Sequence, residues 1–561
     1  MADNDETVWI VFNGEIYNFP ELKRELEDNG HVFKTKCDTE VIIYGYKQWG
    51  EDVFDHLNGM FGLAIWDARK KKLIISRDAM GIKLVYYKIE AGSVFFGSEI
   101  RAINVAPNRT KEVDPLSLNL FLRYRYTPSP LTLYNGIRKL APGTMIVFEN
   151  GEVREKRWYR FKPQTHLSGR SPDEAQEELL SIYKRAVNRH LLSDVPVGLL
   201  LSGGVDSGLL LGLMGLRGND WPTYTVGYGK SFKDDELIDA ARTAHIFSSK
   251  NIQVELDKET FERNLSEIIG FLEEPVATSS IVPMYFVSQR ARRDVKVALV
   301  GQGPDELFGG YRRHLGIRYG KYWRSLPNWL TNSINVAVNR LPRNETLKRG
   351  VYALGIEDRL KRYQATFSLI PQEKIDGLFI GGRLPDDAGD KVLELWSELS
   401  ELMDETDELG GFQFLELRFS LPDELLMYAD KMSMAHGLEI RVPYLDREVV
   451  EYVESLSPDY KVRCGVRKWL HKRVCTKFLP KEIIKRKKRG FAVNVVDDWF
   501  NASLSKKMGK YFMDPQSKMF AYLKHDAVNR LLEEHQSGRN DNHKILFSLV
   551  VFEEWLRKVG F

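Results

Sequence analysis

The sequence predicts an α/β protein in two parts, a layered α/β sandwich followed by a doubly wound parallel sheet with a helical C-terminal region. The chain has 561 residues, which is too long for one ordinary hydrophobic core. Short strands and a few helices follow one another up to about Val153, as in a sandwich. From Ser171 onward apolar strands alternate with helices, a pattern typical of a parallel sheet. We therefore predict one domain at residues 1–160 and a second at residues 161–561.

Composition and charge narrow the class of protein. Hydrophobic residues make up 43% and charged residues 28%, as in soluble globular proteins. The formal net charge of +3 gives no general attraction to nucleic acid or to an anionic membrane. We find no apolar targeting segment and no apolar run long enough to span a bilayer. Cys37, Cys464 and Cys475 match neither a disulfide framework nor a zinc pattern. We expect a cytoplasmic protein with small-molecule partners, without nucleic acid or membrane.

The first domain is predicted from short apolar segments. Residues 8–12 form an apolar strand that we expect to end at the turn pair Asn13-Gly14. Helices are predicted at residues 21–27 and 39–49. Residues 149–170 are polar and irregular, and we interpret them as the domain linker. An antiparallel meander is predicted from residues 61–66, 73–76, 85–89 and 94–96.

The second domain is organised around residues 202–207, Ser-Gly-Gly-Val-Asp-Ser, which we call the first glycine loop. An apolar run at residues 197–201 predicts a buried strand before it, and a second run at residues 208–214 predicts a helix after it. Residues 223–227 and 295–300 are candidate neighbouring strands. Ser171, Pro172 and Glu174 predict a capping box at the first helix of the domain.

The first glycine loop has the features of a phosphate site. Glycines let backbone N–H groups approach a ligand closely, and the following helix directs its positive end toward it. The alternative is an ordinary strand-to-helix turn, for which Ser-Gly-Gly is common. No lysine follows the glycines, so the loop is not that of the common phosphate-loop NTPases.

Residues 301–311, which we call the second glycine loop, follow another apolar strand and carry Asp305 and Glu306. Pyrophosphate with Mg²⁺ needs such carboxylates, because hard cations take oxygen ligands. The alternative interpretation is a structural loop with capping acids. Two glycine-rich strand ends with acids in one domain favour the nucleotide interpretation.

Four segments together resemble the glutamine-hydrolysing asparagine synthetases. They are Asn-Gly-Glu-Ile-Tyr-Asn at residues 13–18, the two glycine loops, and residues 429–446. The resemblance covers nearly the whole chain in the right order. The first glycine loop alone resembles only the wider group of N-type ATP pyrophosphatases.

The resemblance implies a glutaminase domain of the N-terminal-nucleophile fold and an ATP-pyrophosphatase domain. It implies amidation of aspartate to asparagine through a β-aspartyl-AMP intermediate, with release of AMP and pyrophosphate. ATP and Mg²⁺ are the implied cofactors, and aspartate with ammonia or glutamine the implied substrates. The implied nucleotide-site residues are Leu201 and Val226 for adenosine, Ser202, Gly203, Gly204 and Ser207 for pyrophosphate, Asp206 and Asp305 for Mg²⁺, and Val300 and Gly301 as lining.

Two further residues are candidates for catalysis. A basic run at residues 485–489 is interpreted as a solvated face or an import patch if taken alone. The resemblance implies instead that Lys488 reaches the adenylate and the phosphates. Gln302 occupies a position where some members carry a glutamate proposed to take a proton from ammonia. An amide can orient a substrate but cannot act as a general base.

The glutaminase half departs from the family. The family nucleophile is a cysteine that becomes the first residue and uses its own amino group as base. Here Ala2 follows Met1, and Cys37 is internal. Four positions, Asn13, Gly14, Glu15 and Asp38, match vestigial glutamine-binding residues. We predict a chain with the nucleophile segment missing, an exposed sheet edge, no glutaminase activity and dependence on ammonia. A shortened start and a degenerate domain are both open interpretations.

Two other functions stay open at this point. One is an amide ligase of the same fold that acts on another carboxylate, as in β-lactam formation or peptide cyclisation. The other is a non-catalytic relative, against which the intact Asp206 and Asp305 argue. A homodimer is a further expectation.

Overall fold

A computed structural model describes residues 1–561 except for 106–111, 161–169, 219, 230–231, 233–234, 342–343, 383, 385–387, 398, 405, 487–492, 505–507 and 561. The first part of the chain contains eight strands within these described ranges: β1 (Val8–Ile16), β2 (Gly59–Asp67), β3 (Lys72–Arg77), β4 (Tyr86–Glu90), β5 (Ser93–Gly97), β6 (Arg138–Lys139), β7 (Thr144–Glu149) and β8 (Glu152–Arg157). Its helices are α1 (Phe19–Asp28), α2 (Asp38–Trp49), α3 (Val53–His56), α4 (Ile100–Ile103) and α5 (Pro115–Tyr124).

These strands form two antiparallel sheets that pack face to face. One sheet has the order β1-β2-β3-β7-β8 and the other the order β5-β4-β6. On β2, Ala64 belongs to a small core shared with Tyr87 of β4, whereas its neighbours Leu63 and Ile65 belong to the main core. Alternate residues of a strand point to opposite faces, so β2 lies between two packed layers. The predicted α/β sandwich is confirmed.

Three local predictions for this part were wrong. Strand β1 does not end at Asn13-Gly14 but continues to Ile16, because Gly14 packs against the backbone of β2, where an added Cβ would lie 2.0 Å from the carbonyl oxygen of Met60. The predicted meander is divided between the two sheets after β3. The predicted linker at 149–170 contains β8, which pairs with β7, and its residues 161–169 lie outside the described ranges.

Among the described residues, strand β1 is the edge of its sheet, and Ala2 forms an isolated antiparallel bridge with Trp9 along that edge. The carbonyl of Met1 also accepts from the N–H of Ile10 at 2.9 Å. The exposed sheet edge that was expected here is therefore partly paired.

A parallel sheet forms the centre of the second part. Its strands are β9 (Val197–Leu200), β10 (Thr223–Gly227), β11 (Asn251–Glu255), β12 (Val297–Val300) and β13 (Glu439–Arg441). The helices around them are α6 (Pro172–His190), α7 (Val205–Met214), α8 (Leu237–Ile246), α9 (Lys258–Leu272), α10 (Ile281–Ala291) and α11 (Pro304–Phe308). The predicted capping box is present, since Ser171 Oγ accepts from the N–H of Glu174.

The strand order β11-β10-β9-β12-β13, with every pair parallel, confirms the doubly wound sheet. From β9 the chain moves outward to β10 and β11 on one side, then returns to β12 and β13 on the other. The order reverses between β9 and β12, and ligands bind at such a switch point, beyond the carboxyl ends of the strands. Both glycine loops start there.

The remainder is mainly helical, as predicted. Its elements are α12 (Arg312–Arg324), α13 (Asn328–Asn339), α14 (Glu345–Leu354), α15 (Arg359–Phe367), α16 (Gln372–Asp376), α17 (Ala388–Ser397), α18 (Ser400–Asp404), α19 (Glu408–Leu415), a π-helical segment (Glu416–Leu426), α20 (Met427–Met434), α21 (Arg447–Glu454), α22 (Pro458–Lys461), β14 (Val462–Arg463), β15 (Val466–Arg467), α23 (Trp469–Cys475), α24 (Lys481–Ile484), α25 (Val493–Leu504), α26 (Lys510–Met513), α27 (His525–Gln536) and α28 (His543–Val559). In this described part of the chain we find no helix with the length and apolar character needed to cross a membrane.

Buried ion pairs join the two parts. The guanidinium of Arg77, at the end of β3, lies 3.5 Å from Oδ1 of Asp423 in the π-helical segment, and both side chains are fully buried. Nζ of Lys83 donates to Oδ1 of Asp430 at 2.7 Å. Burying a charge costs free energy unless it is paired, so each part supplies the counter-charge that the other needs.

Candidate active site

The first glycine loop connects β9 to α7 by a sharp turn. Gly203 has a φ of +60°, and an added Cβ would lie 2.8 Å from the backbone nitrogen of Ala240. Only glycine fits this position without strain. The N–H of Ser202 donates to Oγ of Ser207 at 3.2 Å, which closes the loop over the first turn of α7. The loop therefore surrounds the positive end of the helix, where phosphate oxygens bind.

The second glycine loop lies against the first. An added Cβ at Gly301 would lie 2.9 Å from the backbone nitrogen of Ser207, so glycine permits the close approach of the two loops. Val300 ends the neighbouring strand β12. The side-chain oxygen of Gln302 is buried and accepts no hydrogen bond from a described residue. The loops predicted to line one nucleotide site are thus in contact.

The predicted adenosine positions lie on neighbouring strand ends. Leu201 follows β9, and Val226 lies near the end of β10. The N–H of Leu201 already donates to the carbonyl of Tyr224 at 2.8 Å. Leu201 would therefore contact adenosine through its carbonyl group. This carbonyl oxygen accepts from Oγ1 of Thr225 and has a second lone pair for a ligand.

A lysine that the sequence analysis missed bridges the two predicted metal ligands. Nζ of Lys468 lies 2.8 Å from Oδ2 of Asp206 and 2.8 Å from Oδ1 of Asp305. Lys468 precedes α23 with a φ of 54°, a left-handed conformation that is rare outside glycine. Its side chain is buried, and it brings a positive charge to the carboxyl ends of both β9 and β12.

Asp206 and Lys468 hold each other ionised. Burial raises the pKa of Asp206, but Lys468 and His471 outweigh it and keep that pKa well below the usual range. Burial lowers the pKa of Lys468, but Asp206 and Asp305 outweigh it and raise that pKa above its ordinary value. A protonated lysine therefore lies beside an ionised Asp206 at neutral pH.

His471 lies one helical turn after Lys468 and contacts the carboxylate of Asp206. Its Nδ1 shares a hydrogen bond with the hydroxyl of Tyr183 at 2.8 Å, and its Nε2 lies 3.1 Å from Oδ1 of Asp206. The distance between Nε2 and Asp206 is short, but the contact does not have the geometry of a hydrogen bond. Burial lowers the pKa of His471, so the ring is neutral. Tyr444 also donates to the backbone carbonyl of Asp206, at 2.8 Å.

These residues fit Mg²⁺ only together with a nucleotide. In the part of the chain that the structure describes, no group of three or more His, Cys, Asp and Glu side chains could hold a metal. Asp206 and Asp305 supply two carboxylates, and Mg²⁺ is usually bound by one or two carboxylates plus phosphate oxygens and water. The acid pair therefore suits a metal that arrives with its phosphates.

The basic run contacts the first glycine loop through Arg486. Its guanidinium donates to the carbonyls of Gly203 at 2.9 Å and Asp239 at 3.1 Å. Lys488, which was predicted to reach the adenylate, lies outside the described residues. Its role stays a prediction.

The predicted glutamine-binding positions cluster around the end of β1. The N–H of Ile16 donates to Oδ2 of Asp38 at 2.9 Å, and Asn13 donates to Oγ of Ser98 at 3.0 Å. The carboxylate of Glu15 lies 3.2 Å from the guanidinium of Arg441 at the end of β13. Burial raises the pKa of Glu15 to about 7. Cys37 is exposed and precedes α2.

Two sequence families match the chain. Residues 178–557 match the family described as Asparagine synthase, and residues 1–159 match the family described as Glutamine amidotransferase domain. Together with the fold, these matches define a carbon–nitrogen ligase that carries an amidotransferase-type domain. The chain belongs to the asparagine synthase family.

Relatives support this membership along nearly the full length. The chain is 30% identical to "Asparagine synthetase [glutamine-hydrolyzing] 1" of Bacillus subtilis, over 99% of this chain and 86% of the relative. It is also 30% identical to a Mycobacterium bovis protein whose name includes asparagine synthetase (glutamine-hydrolyzing), over 97% of this chain and 84% of that one. A solved glutamine phosphoribosylpyrophosphate amidotransferase from B. subtilis covers 47% of this chain and 52% of its own, with 14% identity and a TM-score of 0.21, too low to support an argument.

Proposed function

We propose that the chain forms asparagine from aspartate, ATP and ammonia through β-aspartyl-AMP, with release of AMP and pyrophosphate. One observation carries the proposal. Asp206 and Asp305, from the ends of two adjacent parallel strands, meet at one lysine beside the first glycine loop. Family membership supports ligase chemistry, and this geometry suits a site where a nucleotide loses pyrophosphate.

The first half-reaction needs a site for a leaving pyrophosphate. The aspartate carboxylate attacks the α-phosphorus of ATP, and the bond to the β-phosphate breaks. The N–H groups of the first glycine loop and the positive end of α7 bind the departing oxygens. Mg²⁺, held by Asp206 and Asp305, would neutralise part of their charge. The ammonium of Lys468 lies where it can stabilise the negative charge that develops on the phosphate oxygens as the bond breaks.

The second half-reaction joins ammonia to the activated carbonyl carbon. The C–N bond forms, AMP leaves, and one proton is released. Gln302 is at the right loop to orient ammonia, because its buried side-chain oxygen accepts no hydrogen bond from a described residue and can accept one from N–H. It cannot take the proton. We assign to it an orienting role only.

The nitrogen source of the 561-residue polypeptide is proposed to be free ammonia. Ala2 has no nucleophilic side chain, and Cys37 has no free amino group beside it to act as base. Glu15, which matches a glutamine-binding position, is paired with Arg441. Glutamine hydrolysis by this polypeptide is therefore expected to be absent.

The proposal is tested with the purified 561-residue chain. Pyrophosphate release is followed with Mg²⁺-ATP and L-aspartate, with either ammonium or glutamine, and products are identified by amino-acid chromatography. We expect asparagine and pyrophosphate in equal amounts with ammonium, and no glutamate from glutamine. The matched control is Asp206→Asn, which removes a metal ligand at nearly constant size.

Three outcomes would contradict parts of the proposal. Pyrophosphate release only with a different carboxylic acid would exclude aspartate as the acceptor. Glutamate formed along with asparagine would exclude dependence on ammonia. No release with any acid tested would favour a non-catalytic relative.

A further inference from the structure

A second cluster of positive charge lies apart from the nucleotide site. A cavity of about 130 Å³ opens between the start of α14 and the start of α28, and it shares no lining residue with either glycine loop. One water molecule accounts for about 30 Å³ of liquid volume, so the cavity has room for a group the size of a phosphate or a carboxylate. Arg349 and Lys544 both line it.

The acidic residues of this cavity already have partners. Glu345 accepts from Nζ of Lys348 at 2.8 Å. Asp541 accepts from Nδ1 of His543 at 2.8 Å. The pKa of His543 is raised to about 9; burial lowers it, but hydrogen bonds to Asp497 and Asp541 outweigh burial. Glu345 is therefore paired with Lys348, and Asp541 with His543.

The two other cations of the cavity, Arg349 and Lys544, have no ion-pair partner among the described residues. Arg349 donates to the carbonyl of Ser368 at 2.8 Å, whereas its Nε is buried and has no acceptor in the described chain. A buried donor without an acceptor costs free energy, which a bound acceptor would recover.

The pKa shifts of the two cations agree with a site for an anion. The pKa of Lys544 is lowered to about 8, first by burial and then by the positive charges of Arg125 and Arg349. Asp497 and Glu424 raise it, but not enough to compensate. The pKa of Arg349 is lowered as well, by burial and by Arg125. Like charges held together in a partly buried cavity repel one another, and a bound anion would offset that repulsion.

We propose that the cavity between α14 and α28 binds a small oxyanion, a carboxylate or a phosphate group, between Arg349 and Lys544. Both anions present a planar or tetrahedral set of oxygens that a guanidinium and an ammonium can bind together. The start of α28 adds its positive end, since the side chain of Asn542 donates to the carbonyl of Leu531 instead of capping the helix. The anion has two candidate sources, an amino-acid carboxylate such as that of free aspartate and free phosphate.

The test measures the reactivity of Lys544 in the full chain. An amine-specific acylating reagent is applied near pH 8, and labelling at each lysine is quantified by peptide mass spectrometry. Lys544 is expected to react several-fold faster than an ordinary lysine, because its lowered pKa leaves more free amine. Millimolar inorganic phosphate or L-aspartate is expected to slow that labelling at least several-fold, whereas chloride of equal ionic strength does not. Lys558, exposed in the last turn of the same helix, is the internal control.

Variants and the two anions test the site together. Arg349→Gln is expected to abolish protection and Arg349→Lys to keep part of it, with folding checked by circular dichroism. Protection by aspartate alone assigns the site to a carboxylate, and protection by phosphate alone assigns it to free phosphate. Protection by both anions assigns it to small oxyanions of either kind. Absence of protection by either anion, or full protection in Arg349→Gln, overturns the proposal, whatever the outcome for asparagine synthesis.

Discussion

Nζ of Lys468 lies 2.8 Å from a carboxylate oxygen of Asp206 and 2.8 Å from one of Asp305. The two acids come from different loops, so the lysine joins the two glycine loops beyond the carboxyl ends of β9 and β12. It also occupies the region where a divalent cation with its phosphates would bind. A lysine in this place can stabilise the negative charge of a reacting phosphate while it stays paired with the two acids.

Replacing Lys468 by methionine is expected to lower the rate of pyrophosphate release by about 10²–10³-fold, the usual cost of removing one group that stabilises transition-state charge. The KM for ATP is expected to change much less, because the glycine loops stay intact. The measurement is steady-state pyrophosphate release with Mg²⁺-ATP and aspartate. Lys477→Met, beyond the end of the same helix, is the control and should retain full activity. A fall in ATP affinity without a fall in kcat would contradict the assigned role.

Replacing Gly301 by alanine is expected to separate the two glycine loops. The new Cβ would lie 2.9 Å from the nitrogen of Ser207, closer than real contacts allow. Small displacements of a reacting group cost about 10²-fold in rate, so kcat/KM for ATP should fall by about that factor. Gly215→Ala is the matched control, because it has helical geometry and nothing within 4 Å of the added atom. Equal activity of both variants would show that the loops do not need this contact.

His471 is expected to act by positioning Asp206. Its removal in His471→Ala should raise the Mg²⁺ concentration needed for half-maximal activity by about 10-fold, as loss of a group behind a metal ligand usually does. His471→Gln, which keeps a side-chain donor, should restore part of the loss. A titration of initial rate against Mg²⁺ makes the comparison, with thermal unfolding as the check on folding. An unchanged Mg²⁺ requirement in the alanine variant, with lower stability, would assign His471 a structural role only.

Glu454 gives a prediction for stability against pH. It is 2% exposed, neither of its oxygens accepts a hydrogen bond from a described residue, and the nearest guanidinium nitrogen of Arg418 lies 4.0 Å away. Burial raises its pKa from 4.5 to about 8, which Arg418 and Lys461 only partly offset. The folded state thus holds a proton that the unfolded state releases, so the free energy of unfolding falls as pH rises from 4.5 to 8.

Glu454→Gln should remove this part of the pH dependence, since glutamine is neutral in both states. Urea unfolding at several pH values between 4.5 and 8 measures the difference. The exposed Glu482→Gln serves as the control and should follow the original chain. Parallel curves for Glu454→Gln and the original chain would contradict a buried, protonated carboxyl group.

Local patterns predicted the frame of the nucleotide site. The apolar runs around the first glycine loop define a buried strand and a helix, and a second apolar strand with glycines and acids marks the neighbouring strand end. The resemblance implied that Asp206 and Asp305 bind one metal, and parallel strands share one carboxyl edge, so both acids were expected at the same edge of the sheet.

Long-range packing determines the position of Lys468 and the length of β1, which local sequence patterns could not predict. Lys468 stands in a short polar stretch with no periodic signal, and only the folded chain brings it back to residues more than 160 positions earlier. Asn13-Gly14 is common turn chemistry, yet here the pair lies inside β1, because Gly14 packs closely against the backbone of Met60 in β2. Lys488 and the domain boundary stay predictions.

The ion pairs from Arg77 to Asp423 and from Lys83 to Asp430 bear on how the enzyme can be shortened or evolve. A polypeptide with residues 178–557 alone would lose both cations and expose the face that carries both carboxylates. Within the full chain, breaking such a buried pair by removing one partner costs about 3–5 kcal/mol, a large share of the stability of an ordinary domain. The ligase part therefore depends on the first part for its stability, whatever reaction the first part performs.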